Sequence, residues 1–276
     1  MVTAEMVKNL REKTQAGLMD CKEALVASNG DFGAAEVWLR KKNLDRGSVM
    51  AKSATEGRIT IGKTASIDRY AMVEMTSTTD FAANSQDFMD VHCSIAWIAA
   101  EHNLTNIDAV KSFQTSIGTI EERLRELSGR LGENIGLKRV EVFDSNTSGF
   151  YIHSDSKQGA IVELEGAPAD KVAEIGKDIS MHIVFAKPNF LTRDEVPAAD
   201  VAKEEALIKE MLLADPKNAN KPPEIIAKIS AGKMNNFFAK SVLPDQPYYR
   251  EQKNTVAKTL SGVKVVRFAR FEVGAL

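Results

Sequence analysis

Cysteine is scarce in this chain. Two occur in 276 residues, Cys21 and Cys93, and neither belongs to a CxxC spacing. That argues against a disulfide framework and against a cysteine-ligated metal. Histidine is scarce too, with four residues. His92 stands beside Cys93 on a predicted helix, where adjacent side chains diverge and cannot form a nucleophile–base pair. His182 falls in a second apolar helix and is expected to be structural. No HExxH, GxSxG or GxxxxGK[ST] occurs, and Gly132-Glu133-Asn134 is too short to suggest a phosphate loop. Without a convergent constellation we expect no catalytic residue, no metal, no cofactor and no enzyme activity in the covalent sense.

Charge of one sign is also missing. The 36 basic and 38 acidic residues leave a net charge of -2, which argues against direct nucleic-acid binding and against an anionic membrane surface. No apolar run approaches the ~20 residues of a membrane helix. The start, Met1-Val2-Thr3-Ala4-Glu5, lacks the basic and apolar parts of a secretory signal. A cytoplasmic location is expected.

What is present is ordinary globular composition, 43% hydrophobic and 27% charged, at a length that suits two or three compact units. Residues 1–42 predict three short helices: Met6, Val7 and Leu10 mark one, Leu18, Cys21, Ala24 and Leu25 a second, and Ala35, Trp38 and Leu39 a third capped by Asp31. Leu18 and Met19, beside Lys22, fit either this small core or a contact surface. Residues 43–56 lack a sustained apolar period and predict a linker, partly helical at most. Lys41, Lys42 and Arg46 are expected on a solvated face or against an acidic partner.

An α+β body is expected after that. Strands over 58–65 and 70–76 precede a helix from about 85 to 101, capped by Asn84 or Ser85, with Phe88, Val91, Ile95, Ile98 and Ala99 on one stripe. Thr119-Ile120-Glu121-Glu122 is a capping box that opens a helix bearing Ile120, Leu124, Leu127 and Leu131. A strand over 137–143 follows. The pattern then recurs: a hairpin from Phe150–Ser154 and Ala160–Glu165, then a helix with Val172, Ile175, Ile179 and Ile183 on one face. Two hairpin-then-helix units suggest a duplicated core, residues 57–144 and 145–276. Residues 194–240 predict a helical hairpin entered near Thr192 or Asp194 and broken by Pro216 and Pro222-Pro223. It suits a remote surface, a second copy of the chain in a homodimer, or packing on its own core. A short helix over 255–260 leads to a closing strand over 263–273, whose irregular apolar positions predict burial on both faces or a bulge.

Between the strand over 70–76 and the next helix lies Thr79-Asp80-Phe81-Ala82. A corner of this kind sits at the surface. Phe81 there either tucks against its own helix or faces outward as an anchor for a partner. With Asn84 as cap, a hydrophobic staple would pair Ala83 with Phe88 and leave Phe81 unused. The second unit carries Glu165-Gly166-Ala167-Pro168 at its own corner, so the fold itself does not require the aromatic.

The corner, continued as Thr79-Asp80-Phe81-Ala82-Ala83, resembles the Thr-Asp-Phe-Val-Ala signature of the elongation factor Ts family. Thr14–Leu25, Leu131-Gly132-Glu133-Asn134-Ile135, Met181-His182-Ile183 with Lys187-Pro188, and Arg270-Phe271-Glu272-Val273-Gly274 resemble the same family, in its order and across nearly the whole chain. Ala82 replaces the usual valine, and Asn84 stands where a basic residue is common. The resemblance implies a ubiquitin-associated-like three-helix module, a duplicated core with a helical-hairpin insertion, and guanine-nucleotide exchange on elongation factor Tu during translation elongation. Carried onto this sequence, Asp80 and Phe81 are the wedge that disturbs the partner's magnesium and phosphate site, flanked by Thr79 and Ala82. Leu131 and Gly132 match a pair lining that contact, and Leu18 and Met19 match the N-terminal module's contact. His153 and His182 lie in matching segments without an assigned role. Some members run on into a further helix that touches the partner; the sequence ends at Leu276, and that contact is not expected. The competing expectation is a ubiquitin-associated-type adaptor without exchange activity.

Overall fold

Thr3 opens the first helix, its hydroxyl accepting from the Met6 amide at 3.2 Å. In the computed structural model, which describes residues 2–47, 53–64, 67–218 and 221–275, that helix is α1 (Ala4–Thr14). α2 (Leu18–Ala27) and α3 (Phe32–Gly47) follow, and the Asp31 carboxylate caps α3 by accepting from the Ala34 amide at 2.7 Å. Val7, Leu10, Cys21, Ala24, Leu25, Ala35 and Leu39 bury their side chains together, with Trp38 packed at the edge. Lys42 bonds Asp20 at 2.8 Å and Glu23 at 2.5 Å, and Arg46 bonds Asp20 at 2.7 Å. Two of the cations expected to face solvent or an acidic partner are thus taken up by the chain's own carboxylates. The stretch expected as a linker is helical as far as Gly47; residues 48–52 lie outside the described residues.

β1 (Glu56–Lys63) and β2 (Arg69–Ser77) form the first hairpin. A one-turn helix, α4 (Asp80–Ala83), leads into α5 (Gln86–Glu101). Then come α6 (Ile107–Ser112), a minimal hairpin of β3 (Gln114–Thr115) and β4 (Gly118–Thr119), α7 (Ile120–Leu131) and β5 (Gly136–Asp144). β2 lies between β1 and β5 and is antiparallel to both. That central place explains why β2 is buried almost throughout, Glu74 included. Arg139 on β5 donates its Nε to Glu74 Oε2 at 2.5 Å, which compensates the buried carboxylate. The predicted stripe of α5 holds: Phe88, Ile95, Ile98 and Ala99 are buried and Val91 packs beside them. The capping box at Thr119 and Glu122 is formed in both directions.

α3 lies across α7 at two glycines. A Cβ on Gly47 would meet the Arg125 carbonyl oxygen at 1.9 Å, and one on Gly129 would meet the Asn43 carbonyl oxygen at 1.9 Å. The two backbones touch, and only glycine permits that approach.

β6 (Ser148–Ile152), β7 (Gln158–Glu165), α8 (Val172–Ala186), α9 (Ala198–Ala214), α10 (Pro223–Phe238), β8 (Pro247–Tyr248), β9 (Glu251–Thr255), α11 (Val256–Leu260) and β10 (Lys264–Glu272) complete the chain. β7 is central, between β6 and β10. Both three-stranded sheets therefore share a connection order: a hairpin, a run of helices, then a strand on the free side of the hairpin's second strand. The architecture is α+β with helices at its N-terminal end. Ala160, Val162, Leu164, Ile179, Ile183, Leu243, Tyr248 and Val256 build a core of their own. His182 is buried there; its Nε2–H donates to Gln246 Oε1 at 3.0 Å and its Nδ1 accepts from the Tyr249 amide at 3.3 Å. Both ring nitrogens are occupied, so this histidine is structural.

Two expectations change, and of two alternative caps for α5 one is found. Pro197, not Thr192 or Asp194, precedes α9, because residues 193–195 close into a separate 3-10 turn. β10 is not buried on both faces: only Phe271 is buried, since the strand sits at a sheet edge. α5 is capped by Ser85, whose hydroxyl accepts from the Phe88 amide at 3.3 Å, so the Ala83–Phe88 staple is not the one in place.

By contact density the chain divides into Met1–Asp144 with Ile152–Gln158 and Phe271–Leu276, and Ser145–Tyr151 with Gly159–Arg270. Among the described residues no helix is long and apolar enough to cross a membrane.

His92 gives a pH prediction. It is 2% exposed and Nε2–H donates to the Val73 carbonyl at 3.0 Å. Burial pushes its pKa from 6.5 down to about 4, against the Val73 bond and with help from Arg58. Protons therefore bind the unfolded chain first, and stability falls as pH drops from 6.5 towards 4. Over that window this group contributes a loss of roughly 3 kcal/mol. Denaturant unfolding of His92→Gln at stepped pH should give a flatter curve there; an unchanged slope rejects the assignment.

The α3–α7 crossing gives a second. Alanine at an open helical glycine stabilises by up to about 1 kcal/mol. Gly232 in α10 is open, with nothing within 4 Å of an added Cβ, so Gly232→Ala should raise the melting temperature. Gly129→Ala should lower stability by about 1–3 kcal/mol, because the crossing must part. Two shifts of the same sign would contradict the crossing.

Candidate functional site

α4 is built from both of its ends. The Thr79 hydroxyl accepts from the Ala82 amide at 3.3 Å and caps it. The same hydroxyl donates to Glu133 Oε1 at 3.0 Å. Ser77 donates its hydroxyl to the Thr79 carbonyl at 2.7 Å. At the other end the Asn84 amide donates to the Asp80 carbonyl at 2.9 Å, and the Asn84 side-chain oxygen accepts from Arg58 at 2.5 Å.

Within this turn Ala82 and Ala83 are buried, while Asp80 and Phe81 face out. Phe81 is 86% exposed, the most exposed of the large apolar side chains described. The tucked arrangement considered from the sequence is therefore not the one adopted. The corner is also not an irregular loop: Thr79–Ala83 is a capped helical turn.

Leu131 and Gly132 lie next to this turn because Glu133 reaches from them to Thr79. Gly132 ends α7 in the left-handed region at φ 70°, and the Glu133 amide donates to the Ser128 carbonyl at 3.1 Å. Thr78 joins the same junction, its hydroxyl accepting from the Asn134 amide at 3.1 Å. Glu133 Oε2 is buried with no partner among the described residues. Leu131 is half-buried and Gly132 exposed.

Beside Asp80 lies a cup of about 320 Å³, lined by Gly57, Arg58, Asn84, Ser154, Asp155 and Lys157. Lys157 bonds Glu56 at 2.6 Å. Its ammonium pKa is raised, by Glu56 first, with Asp80 and Asp155 adding. Asp80, the neighbour of the exposed ring in sequence, thus lies on a rim that carries both signs of charge.

Leu18 and Met19 open α2 and are 53% and 63% exposed, so neither is core. Lys22 and Val26 are exposed on the same face, at four-residue steps from Leu18. This patch belongs to the N-terminal helices and is separate in sequence and element from the Phe81 turn. Glu133, Arg58 and Lys157 were missed as parts of the site. Glu133 sat in a recognised segment, whereas nothing in the sequence links Arg58 or Lys157 to Asp80.

A family model described as elongation factor Ts matches residues 78–275. The elongation factor Ts of Deinococcus radiodurans is 34% identical over 272 residues, covering 98% of this chain and 99% of its own. Those of Xanthomonas campestris pv. campestris and Mycobacterium avium are 37% and 35% identical, covering 99% of this chain and 92% and 98% of theirs. The chain belongs to the elongation factor Ts family. It is therefore a translation elongation factor of protein biosynthesis by family. The elongation factor Ts model begins at Thr78, at the edge of the capped turn, and ends past β10. Leu18 and Met19 fall before it but within the full-length alignments to the elongation factor Ts relatives.

Proposed function

We propose that this chain is a guanine-nucleotide exchange factor for elongation factor Tu, and that Asp80 and Phe81 are its wedge. The observation that carries the proposal is the 86% exposure of Phe81 on a turn held at both ends. An exposed aromatic on fixed backbone offers large apolar area to a partner at low entropy cost. Asp80 supplies a carboxylate beside it, near a site in the partner where magnesium is the largest local charge. Thr79 and Ala82 fix the turn, and Leu131 and Gly132 extend the contact surface.

The physics is linkage. A protein that binds the nucleotide-poor shape of a GTPase weakens nucleotide, and nucleotide weakens it by the same factor. A coupling of about 4 kcal/mol corresponds to roughly a thousandfold in affinity. No bond is made or broken in this chain, and no cofactor is required.

Leu18 and Met19 give a second docking point on the N-terminal helices, a module we read as ubiquitin-associated-like. Their exposure beside Lys22 favours a protein partner. The α9–α10 hairpin is the arm for a second copy of the chain, given exposed Leu207, Met211, Leu213 and Ile225. The protein acts in the cytoplasm, without membrane or nucleic acid as direct partner.

Phe81→Ala should slow stimulated release of fluorescent GDP from elongation factor Tu at least about tenfold, a loss of about 1.4 kcal/mol. Its unfolding free energy should stay within about 0.5 kcal/mol of the parent, because an exposed ring is not core. Full release activity in the variant rejects the wedge.

Replacing both Leu18 and Met19 by serine should raise the half-saturating concentration for release about tenfold and keep the maximal rate and melting curve. An undiminished affinity removes the docking role, and a pull-down with ubiquitin instead of elongation factor Tu would favour the adaptor.

A further inference from the structure

We propose that Glu133 and Arg58 are positioning residues that clamp the two ends of the Phe81 turn and hold its ring outward; the inference rests on the exchange-factor reading above.

α4 has four residues, and a helix that short does not persist alone, since nucleation fixes several residues for one hydrogen bond. Phe81 buries almost nothing, and Ala82 and Ala83 bury only a methyl group each. The turn is held by polar bonds to other parts of the chain. At its N-terminal end Glu133 accepts from Thr79, the residue whose hydroxyl also caps Ala82. Glu133 is itself fixed by the end of α7, through its amide to Ser128 and through Ile135, whose amide donates to Ser128 Oγ at 3.1 Å.

At the C-terminal end Arg58 uses both arms of its guanidinium. One donates to Asn84 Oδ1 at 2.5 Å, the other to Ser156 Oγ at 2.9 Å. Ser156 is immobilised too: its carbonyl accepts from the Ile59 amide at 2.7 Å and its amide donates to the His153 carbonyl at 2.8 Å. A planar fork bonding two fixed acceptors is rigid in a way that a lysine would not be. The turn is therefore spanned between α7 and β1, and its bond to β1 uses Asn84, the position where the resemblance leads one to expect a basic side chain. A cation at 84 would face the guanidinium of Arg58.

Neither residue needs to touch the partner. Their contribution is to spare the turn from being ordered at the moment of binding.

The test uses the full-length protein and four variants: Glu133→Ala, Glu133→Gln, Arg58→Ala and Phe81→Ala, with the two clamp alanines also combined with Phe81→Ala. Backbone amide exchange at Ala82 and Asn84 should quicken at least tenfold in Glu133→Ala and Arg58→Ala, with the α5 and α7 amides unchanged. Stimulated GDP release should drop about fivefold or more in each. Glu133→Gln should recover to within twofold, because an amide oxygen accepts the Thr79 hydroxyl as a carboxylate does. In the Phe81→Ala background the clamp substitutions should cost no further rate, since they act through the ring. Unchanged Ala82 and Asn84 exchange, full release rates, or losses that multiply with Phe81→Ala would each overturn the proposal. If the parent protein fails to speed release at all, the exchange reading falls, while the amide measurement still decides whether the two residues hold the turn.

Discussion

β2 and α5 bury themselves in the same core, and the chain must pass from one to the other within a few residues. β2 stays buried to Ser77, and α5 buries Phe88 in its first turn. A single helical turn bridges them. Successive residues in such a turn rotate by about 100°, so it cannot bury all of its side chains against one surface. Ala82 and Ala83 take the inward positions, and Asp80 and Phe81 are left facing out. The outward ring follows from where the two core elements end. Thr79 then ties the turn to the end of α7, and Arg58 ties it to β1.

Charge is handled internally within both units. Glu74 is fully buried, and the guanidinium of Arg139 meets it and also stacks on the Phe271 ring at 4.6 Å. Lys42 and Arg46 are neutralised by Asp20 and Glu23. His92 and His182 are buried with both pKa values pushed down by desolvation, and each donates from Nε2. The buried histidines and ion pairs are accounted for by folding. Among the apolar features that folding leaves exposed are the Phe81 ring, the start of α2 and Leu207, Met211, Leu213 and Ile225 of α9–α10.

Long periodic elements were legible in the sequence. α5 and α7 carry stripes and caps, and β1 and β2 carry apolar runs, so local pattern and tertiary packing agree there. Short or covered elements were not. α4 is too brief to show a period, α6 and the β3–β4 hairpin lie in a stretch that gave no pattern, and residues 43–47 look linker-like because their partner is the backbone of α7. The exposed ring itself was only half legible: its corner could be located, but which way it faced depended on where β2 and α5 end in the core, and the turn is tied there by Glu133 and Arg58. Both bonds join residues far apart in sequence, and no local signal announces such pairs.

The glycine crossing has a consequence for synthesis. α1, α2 and α3 share a small core of their own and leave the ribosome first. The surface that receives α3 is α7, which is made only after β1, β2 and α5. Until α7 emerges, the face of α3 around Asn43 and Gly47 lacks the helix that covers it in the folded protein, so the nascent chain carries an unfinished helix bundle through the translation of the β1–β2 hairpin and α5. A chaperone or the ribosome surface would meet that face before the mature molecule ever hides it.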